Sequence, residues 1–178
     1  GNDMEFETKN LEVKKFIPEY ISVMYESWGT DKEVGKYLPG AFKMDWNLDD
    51  FTNYIINTYQ DDNYSRSIIK DKKTNKIIGN ISLYQEDSRS KSVVLWLVRD
   101  FWNKGYGTEA LTKLVDELKK TNLGSIYATC DGRNIGAKTI LDRSGFELID
   151  TIPNYREDID GNIGDELLYE IELISCLL

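Results

Sequence analysis

One stretch, "SVVLWLVRDFWNKGYGTEALTKLVDELKK" (92–120), constrains this chain more than any other. Its opening "SVVLWLV" (92–98) is a continuous apolar run of strand length, the pattern of a strand buried on both faces. From Gly105 the period changes. Ala110, Leu111, Leu114, Val115 and Leu118 recur at helical spacing, with Glu109 in the first turn and Lys119-Lys120 in the last, as the helix dipole favours. A strand that feeds a helix through two glycines one residue apart makes a β–turn–α unit, and such a unit needs more sheet around it.

The rest of the chain supplies that sheet. "FETKNLEVKKF" (6–16) alternates as an opening strand. Pro18 then starts a helix over "EYISVMYESW", and "DKEVGKYL" (31–38) reads as a second, short one stopped by Pro39-Gly40. In 47–60, Leu48, Phe51, Tyr54, Ile55 and Tyr59 share one helical face behind an Asn/Asp-rich start. A hairpin follows: "YSRSIIK" (64–70), the polar turn "DKKTNK" and "IIGNISLYQ" (77–85). After the central unit come a strand over 125–130 and a helix over 134–144, with Ile135, Ala137, Ile140 and Leu141 inward and Gly145 closing it. "FELIDTI" and "ELLYEIEL" are the last strands, joined across "DIDGNIGD". The sum is a mixed α/β (α+β) domain, continuous over 1–178, with a central sheet of six or seven strands. Gly1-Asn2-Asp3 ahead of Met4 reads as a cloning remnant.

Three readings of the glycine turn compete. It is a plain loop, a dinucleotide fingerprint, or a pyrophosphate cradle of another kind. Gly105-x-Gly107-x-x-Ala110 fits the fingerprint and Asp131 follows at a plausible distance. Spacing opposes it, because residues 99–104 separate the strand from the first glycine and too little chain remains for a second set of parallel strands. The cradle reading needs only N–H groups at a helix start, glycines that let an anion approach, and a nearby cation such as Lys104. Arg99, Arg133, Lys138 and Arg143 are further basic residues within reach of such a turn.

Composition narrows the chemistry. A formal net charge of −9 argues against nucleic acid as the main partner and favours approach of a cation. The chain has no histidine, so the commonest general base and metal ligand is missing, and no metal is expected. No apolar stretch is long enough to span a bilayer and no leader opens the chain; with only Cys130 and Cys176, a cytoplasmic protein with reduced thiols is expected. "DIDGNIGD" (158–165) has its glycine at the wrong place for a calcium loop and Tyr169 where a glutamate is needed, so it reads as a turn.

"LWLVRDFWNKGYGTEAL" (95–111) resembles motif A of the GNAT N-acetyltransferases, whose core is Gln/Arg-x-x-Gly-x-Gly/Ala. The order of elements is similar to the branch of ribosomal-protein-alanine N-acetyltransferases, and "KYLPG", "IIGNISL" and "NIGAKTILDRSGF" (134–146) add to the likeness. The resemblance implies a GNAT fold, helices on both faces of the sheet, and a strand pair splayed open around acetyl-CoA. It implies backbone bonds from Trp96, Leu97 and Val98 to the acyl-pantetheine arm, with an N–H near Val98 stabilising the oxyanion. It implies a pyrophosphate held by Asn103, Lys104, Gly105, Tyr106, Gly107 and Thr108, and a further contact from Asn134.

The sequence departs from the motif at three places. Trp102 replaces its polar first residue, Leu141 stands where many relatives have a thiolate-protonating tyrosine, and Ser92 stands where some place a glutamate base. The remaining catalytic candidates are Glu86 and Tyr84 at the end of the third strand, with Tyr155 in the late loop.

The resemblance implies a primary amine as the acceptor. An α-amine of pKa about 7.7–8 is about 20–33% neutral at pH about 7.4, whereas a lysine is only about 0.1% neutral, a deficit of roughly 4 kcal/mol. With no evident base, the N-terminal α-amine of a protein or peptide is the easier substrate. A polyamine or aminoglycoside-like amine is the rival, and a non-catalytic acyl-CoA-binding module a further one. A monomer or a homodimer is expected.

Overall fold

The computed structural model describes residues 4–173. Cys176 and the residues before Met4 lie outside them. The strands form one eight-stranded sheet in the order β1-β2-β3-β4-β5-β6-β8-β7. Its members are β1 (Phe6–Glu7), β2 (Leu11–Lys15), β3 (Tyr64–Asp71), β4 (Ile77–Asp87), β5 (Ser90–Leu97), β6 (Ser125–Asp131), β7 (Glu147–Glu157) and β8 (Ile163–Glu172).

The extra strand comes from the opening segment. The alternation over 6–16 reads as one strand, but it reverses at 8–10, where β1 turns back antiparallel on β2. Glu109 captures that turn: its carboxylate accepts from the Thr8 hydroxyl, from the Asn10 N–H at 3.0 Å and from the Asn10 side-chain amide at 2.8 Å. The bonds of the turn come from a residue a hundred positions away, so local pattern does not reveal it.

Helices cover both faces, as the resemblance implies. On one face lie α4 (Tyr106–Leu118) and α5 (Ile135–Arg143); on the other lie α1 (Ile21–Met24), α2 (Lys32–Gly35) and α3 (Leu48–Tyr59). A 3-10 turn over Pro18–Tyr20 leads into α1 and a π turn over Tyr25–Gly29 leads out of it. The apolar stripe of α4 is buried as its spacing requires: Ala110, Leu111, Leu114, Val115 and Leu118 pack on Ile81, Leu83, Val93 and Ile126. Opposite, Phe51 and Ile55 of α3 pack with Phe16, Met24, Trp28, Phe42 and Trp96, while Leu48 and Tyr59 from the same expected stripe stay exposed. α3 starts on a capping box in which Asn47 and Asp50 exchange side-chain and backbone bonds.

Two further expectations need correction. β5 is not buried on both faces, since Val94 is 38% exposed. Ile135 of α5 is 67% exposed, because the helix turns only its Leu141 flank fully into the core.

A splayed cleft at the strand β5 to helix α4 turn

β5 and β6 are the one parallel pair, and they touch only over Ser90–Ser92 and Ser125–Tyr127. Beyond Ser92 their pairing ends, and a cleft of about 650 Å³ opens beside the far half of β5. Leu95, Trp96 and Leu97 of β5 line it, with Asn103, Gly105, Tyr106, Gly107 and Thr108 from the turn and helix start. Asn134, Ala137, Ile140 and Arg143 close it from α5, and Glu33, Lys36 and Tyr37 from the α2 side.

Register decides which backbone groups of β5 face this opening. Trp96 stands opposite Asn80, and the Val98 N–H donates to the Ile78 carbonyl at 2.8 Å. Polar groups alternate sides along a strand, so Val98, Trp96 and Val94 turn theirs toward β4. Leu95 and Leu97 turn theirs into the cleft. The backbone groups of Trp96 and Val98 therefore face β4, and of the three residues expected to bond the arm only Leu97 turns its backbone to the cleft. The parity of a strand register is invisible without its partner.

The two glycines of the turn do different work. Gly105 has φ +78° with open space where a side chain would start, and it caps α4 in a left-handed conformation that few other residues adopt. Asn103 shares that region at φ +60°. A Cβ on Gly107 would lie 2.5 Å from Ile140 Cδ1, so Gly107 is the contact where α4 packs on α5. The Lys104 ammonium lies over the Phe101 ring, 5.1 Å from its centre, and Lys104 is not among the cleft-lining residues. Asn134 caps α5, its side-chain oxygen accepting from the Ala137 N–H at 3.1 Å.

The wall facing α5 is a charged clamp. Asp131, fully buried, accepts from Arg133 Nη2 at 2.7 Å and Nε at 2.9 Å. Arg133 also reaches Asp158 at 3.3 Å and stacks on Tyr37. Burial alone pushes the Asp131 carboxyl up, but the Arg133 hydrogen bonds and charge together hold it below the usual range. Asp158 accepts from the N–H groups of Asp160 and Asn162, which explains why "DIDGNIGD" is a tight turn. That turn is fastened to the α2 segment by Ile159 N–H to Lys36 O at 2.8 Å and by Lys32 to Asp160 at 2.7 Å.

The catalytic candidates read from sequence are not brought to this cleft. Tyr84 pairs with Ser92, about 16 Å along the strand from Leu97 at ~3.3 Å per residue. Glu86 is exposed in the bulge at the hairpin end, and Tyr155 is 65% exposed on β7. Leu141 is in the core. The one carboxylate on the lining is Glu33, which also borders a second hollow of about 390 Å³ beside Trp28, Asp31 and Arg99. Its neighbourhood depends on how α2 docks, so no motif marked it.

A parallel strand pair closed at one end, a left-handed glycine at a helix start, and an open cleft thus lie together. The family comparison agrees, with the acetyltransferase (GNAT) domain matching residues 10–147. The chain belongs to the GNAT acetyltransferase family. It is 26% identical over 169 residues to the uncharacterized N-acetyltransferase p20 of Bacillus licheniformis, covering 92% of this chain and 93% of that one. Among solved structures, the ribosomal-protein-S5-alanine acetyltransferase of Vibrio fischeri superposes with TM-score 0.79 at 18% identity, covering 96% of this chain and 97% of that one. The spermidine N-acetyltransferase of Vibrio cholerae, in complex with CoA and spermine, does so with TM-score 0.80 at 15% identity over 93% and 97%. Both solved structures share this mixed α/β fold over at least 93% of the chain. Among the described residues no helix is long and apolar enough to cross a membrane, and no group of metal-ligating side chains is present.

Proposed function

We propose that this GNAT N-acetyltransferase moves the acetyl group of acetyl-CoA to the α-amine of a protein or peptide N-terminus. The pyrophosphate is held at the α4 start, where Gly105 leaves the N–H groups of 105–108 open to an anion. The pantetheine arm enters along β5, meeting Leu97 before Leu95 as it runs toward the closed apex at Ser92. The Leu95 N–H is then the donor placed for the oxyanion that develops as the amine attacks the thioester. Glu33 accepts hydrogen bonds from the arriving ammonium.

The observation that carries the α-amine reading is the charge of the lining: Glu33 alone is acidic, against Lys36 and Arg143, while Arg133 is paired with Asp131 and Asp158. A polyamine brings several positive charges and would find one carboxylate; a peptide terminus brings one charge and neutral amides. The absence of histidine points the same way, because an amine already about 20–33% neutral at pH about 7.4 needs less help with its proton than a lysine does. The test is an acceptor panel with acetyl-CoA: peptides with free N-termini, the same peptides blocked at the N-terminus but carrying lysine, and spermidine. Turnover confined to free N-termini is expected. Equal or faster turnover on lysine or spermidine overturns the assignment.

A further inference from the structure

The turn that leaves β5 is tied back to the strand end it leaves. Trp102 donates its indole N–H to the Leu97 carbonyl at 2.7 Å. Its backbone N–H closes onto Arg99 O at 3.0 Å, and its ring stays 40% exposed on the cleft wall. Trp28, Trp46 and Trp96 are all buried in the core, so Trp102 is the tryptophan that packing does not explain. The bond ends on one of the two residues whose backbone faces the cleft, and it starts one residue before the phosphate-side turn.

We infer that Trp102 is a positioning residue that couples the two halves of the acetyl-CoA site. The inference rests on the acetyl-CoA reading above. One half is the strand edge at Leu95 and Leu97; the other is the turn and helix start at 103–108. A ligand that spans both gains affinity only if their separation is fixed beforehand, because one half then delivers the other at high effective concentration. The indole bond fixes it. The same bond occupies the Leu97 carbonyl, so Leu97 presents its N–H to the arm and does not compete for the arm's own amide donors. Phe101 and Tyr106, stacked at 6.0 Å, carry the constraint on into the first turn of α4. The motif's usual glutamine or arginine also offers an N–H donor on a long side chain, so Trp102 replaces its shape and keeps a donor.

The test compares Trp102→Phe and Trp102→Gln by calorimetric titration with acetyl-CoA, with pantetheine, and with adenosine 3′,5′-bisphosphate. The Phe variant keeps a ring and loses the donor; the Gln variant loses the ring and keeps a donor. For Trp102→Phe, acetyl-CoA affinity should fall about five- to tenfold while each fragment binds within about twofold of wild type. Trp102→Gln should recover most of the loss. Because the ring is exposed, both variants should melt close to wild type. Full affinity in Trp102→Phe overturns the inference. So does an equal loss for a fragment and for the whole ligand, which marks a general structural role, or a Gln variant as weak as Phe, which assigns the effect to the ring. If the wild type binds no acetyl-CoA, the functional reading fails first and the coupling with it; if it binds and the variants match it, the coupling fails alone.

Discussion

Replacing Gly79 by alanine should damage this enzyme more than replacing the motif glycine Gly107. Gly79 lies in β4 opposite Leu97, and a Cβ there would sit 2.5 Å from the Trp96 carbonyl oxygen and 2.7 Å from Leu97 Cδ2. A comfortable carbon–oxygen contact is about 3.3 Å, so the two strands must separate by about 0.8 Å. The obstacle is a backbone atom that cannot rotate away. A separation of that size breaks the neighbouring ladder bond from Val98 N–H to Ile78 O, now 2.8 Å. Overpacking and one lost bond together cost about 2–4 kcal/mol. For a chain of this length that lowers Tm by about 4–16 °C. At Gly107 the nearest atom is the end of the flexible Ile140 side chain, so the cost there is about 1–2 kcal/mol. Thermal unfolding by circular dichroism reads the difference, and acetyl-CoA titration should show the Gly79 variant weakened although it touches no ligand. A Tm within about 2 °C of wild type, or a larger loss at Gly107, refutes the reasoning.

Other outcomes follow from the same geometry. Glu33→Gln should raise KM for a peptide acceptor several-fold and leave acetyl-CoA binding unchanged; a loss of acetyl-CoA affinity would remove Glu33 from the acceptor side. Asp131→Asn should cost about 1–3 kcal/mol in urea unfolding, since the partly exposed Arg133 loses its charged hydrogen-bond partner. The Asp131 carboxyl is held below its ordinary 3.8, so its contribution is present above that pH and is lost as pH falls through the lower folded value; acid unfolding below pH about 4 should be shallower in the Asn variant. Burial pushes the Cys130 thiol up from 9.0 to about 11, so stability should decline as pH rises between those values. In a Cys176→Ser background, Cys130 should resist a thiol reagent at pH about 8 until the protein unfolds, and rapid native labelling would contradict its burial.

The sequence carries some of this architecture openly and hides the rest. The α4 stripe and the glycine turn are local patterns, and both stand where their spacing puts them. The β1–β2 reversal is hidden because Glu109 supplies its bonds from across the fold. Leu95 is hidden for a different reason: which residues of β5 face the cleft depends on register with β4, a parity that hydrophobic pattern does not encode when the strand is apolar on both sides. Gly107 lines the cleft as the motif suggests, and it is also the packing contact of α4 on Ile140, which the motif does not show. Glu33 lies in a four-residue helix whose docking is set by Arg156, Ile159 and Asp160 from the far end of the chain.

The central claim, that the turn after β5 is the anion end of an acetyl-CoA site, is tested most directly by calorimetric titration of the wild type and of Gly105→Glu with acetyl-CoA. The account predicts micromolar binding by the wild type, abolished when a carboxylate and a side chain are placed at the left-handed helix cap. Undiminished binding by the variant would move the pyrophosphate elsewhere, and no binding by the wild type would leave the glycines as loop geometry alone.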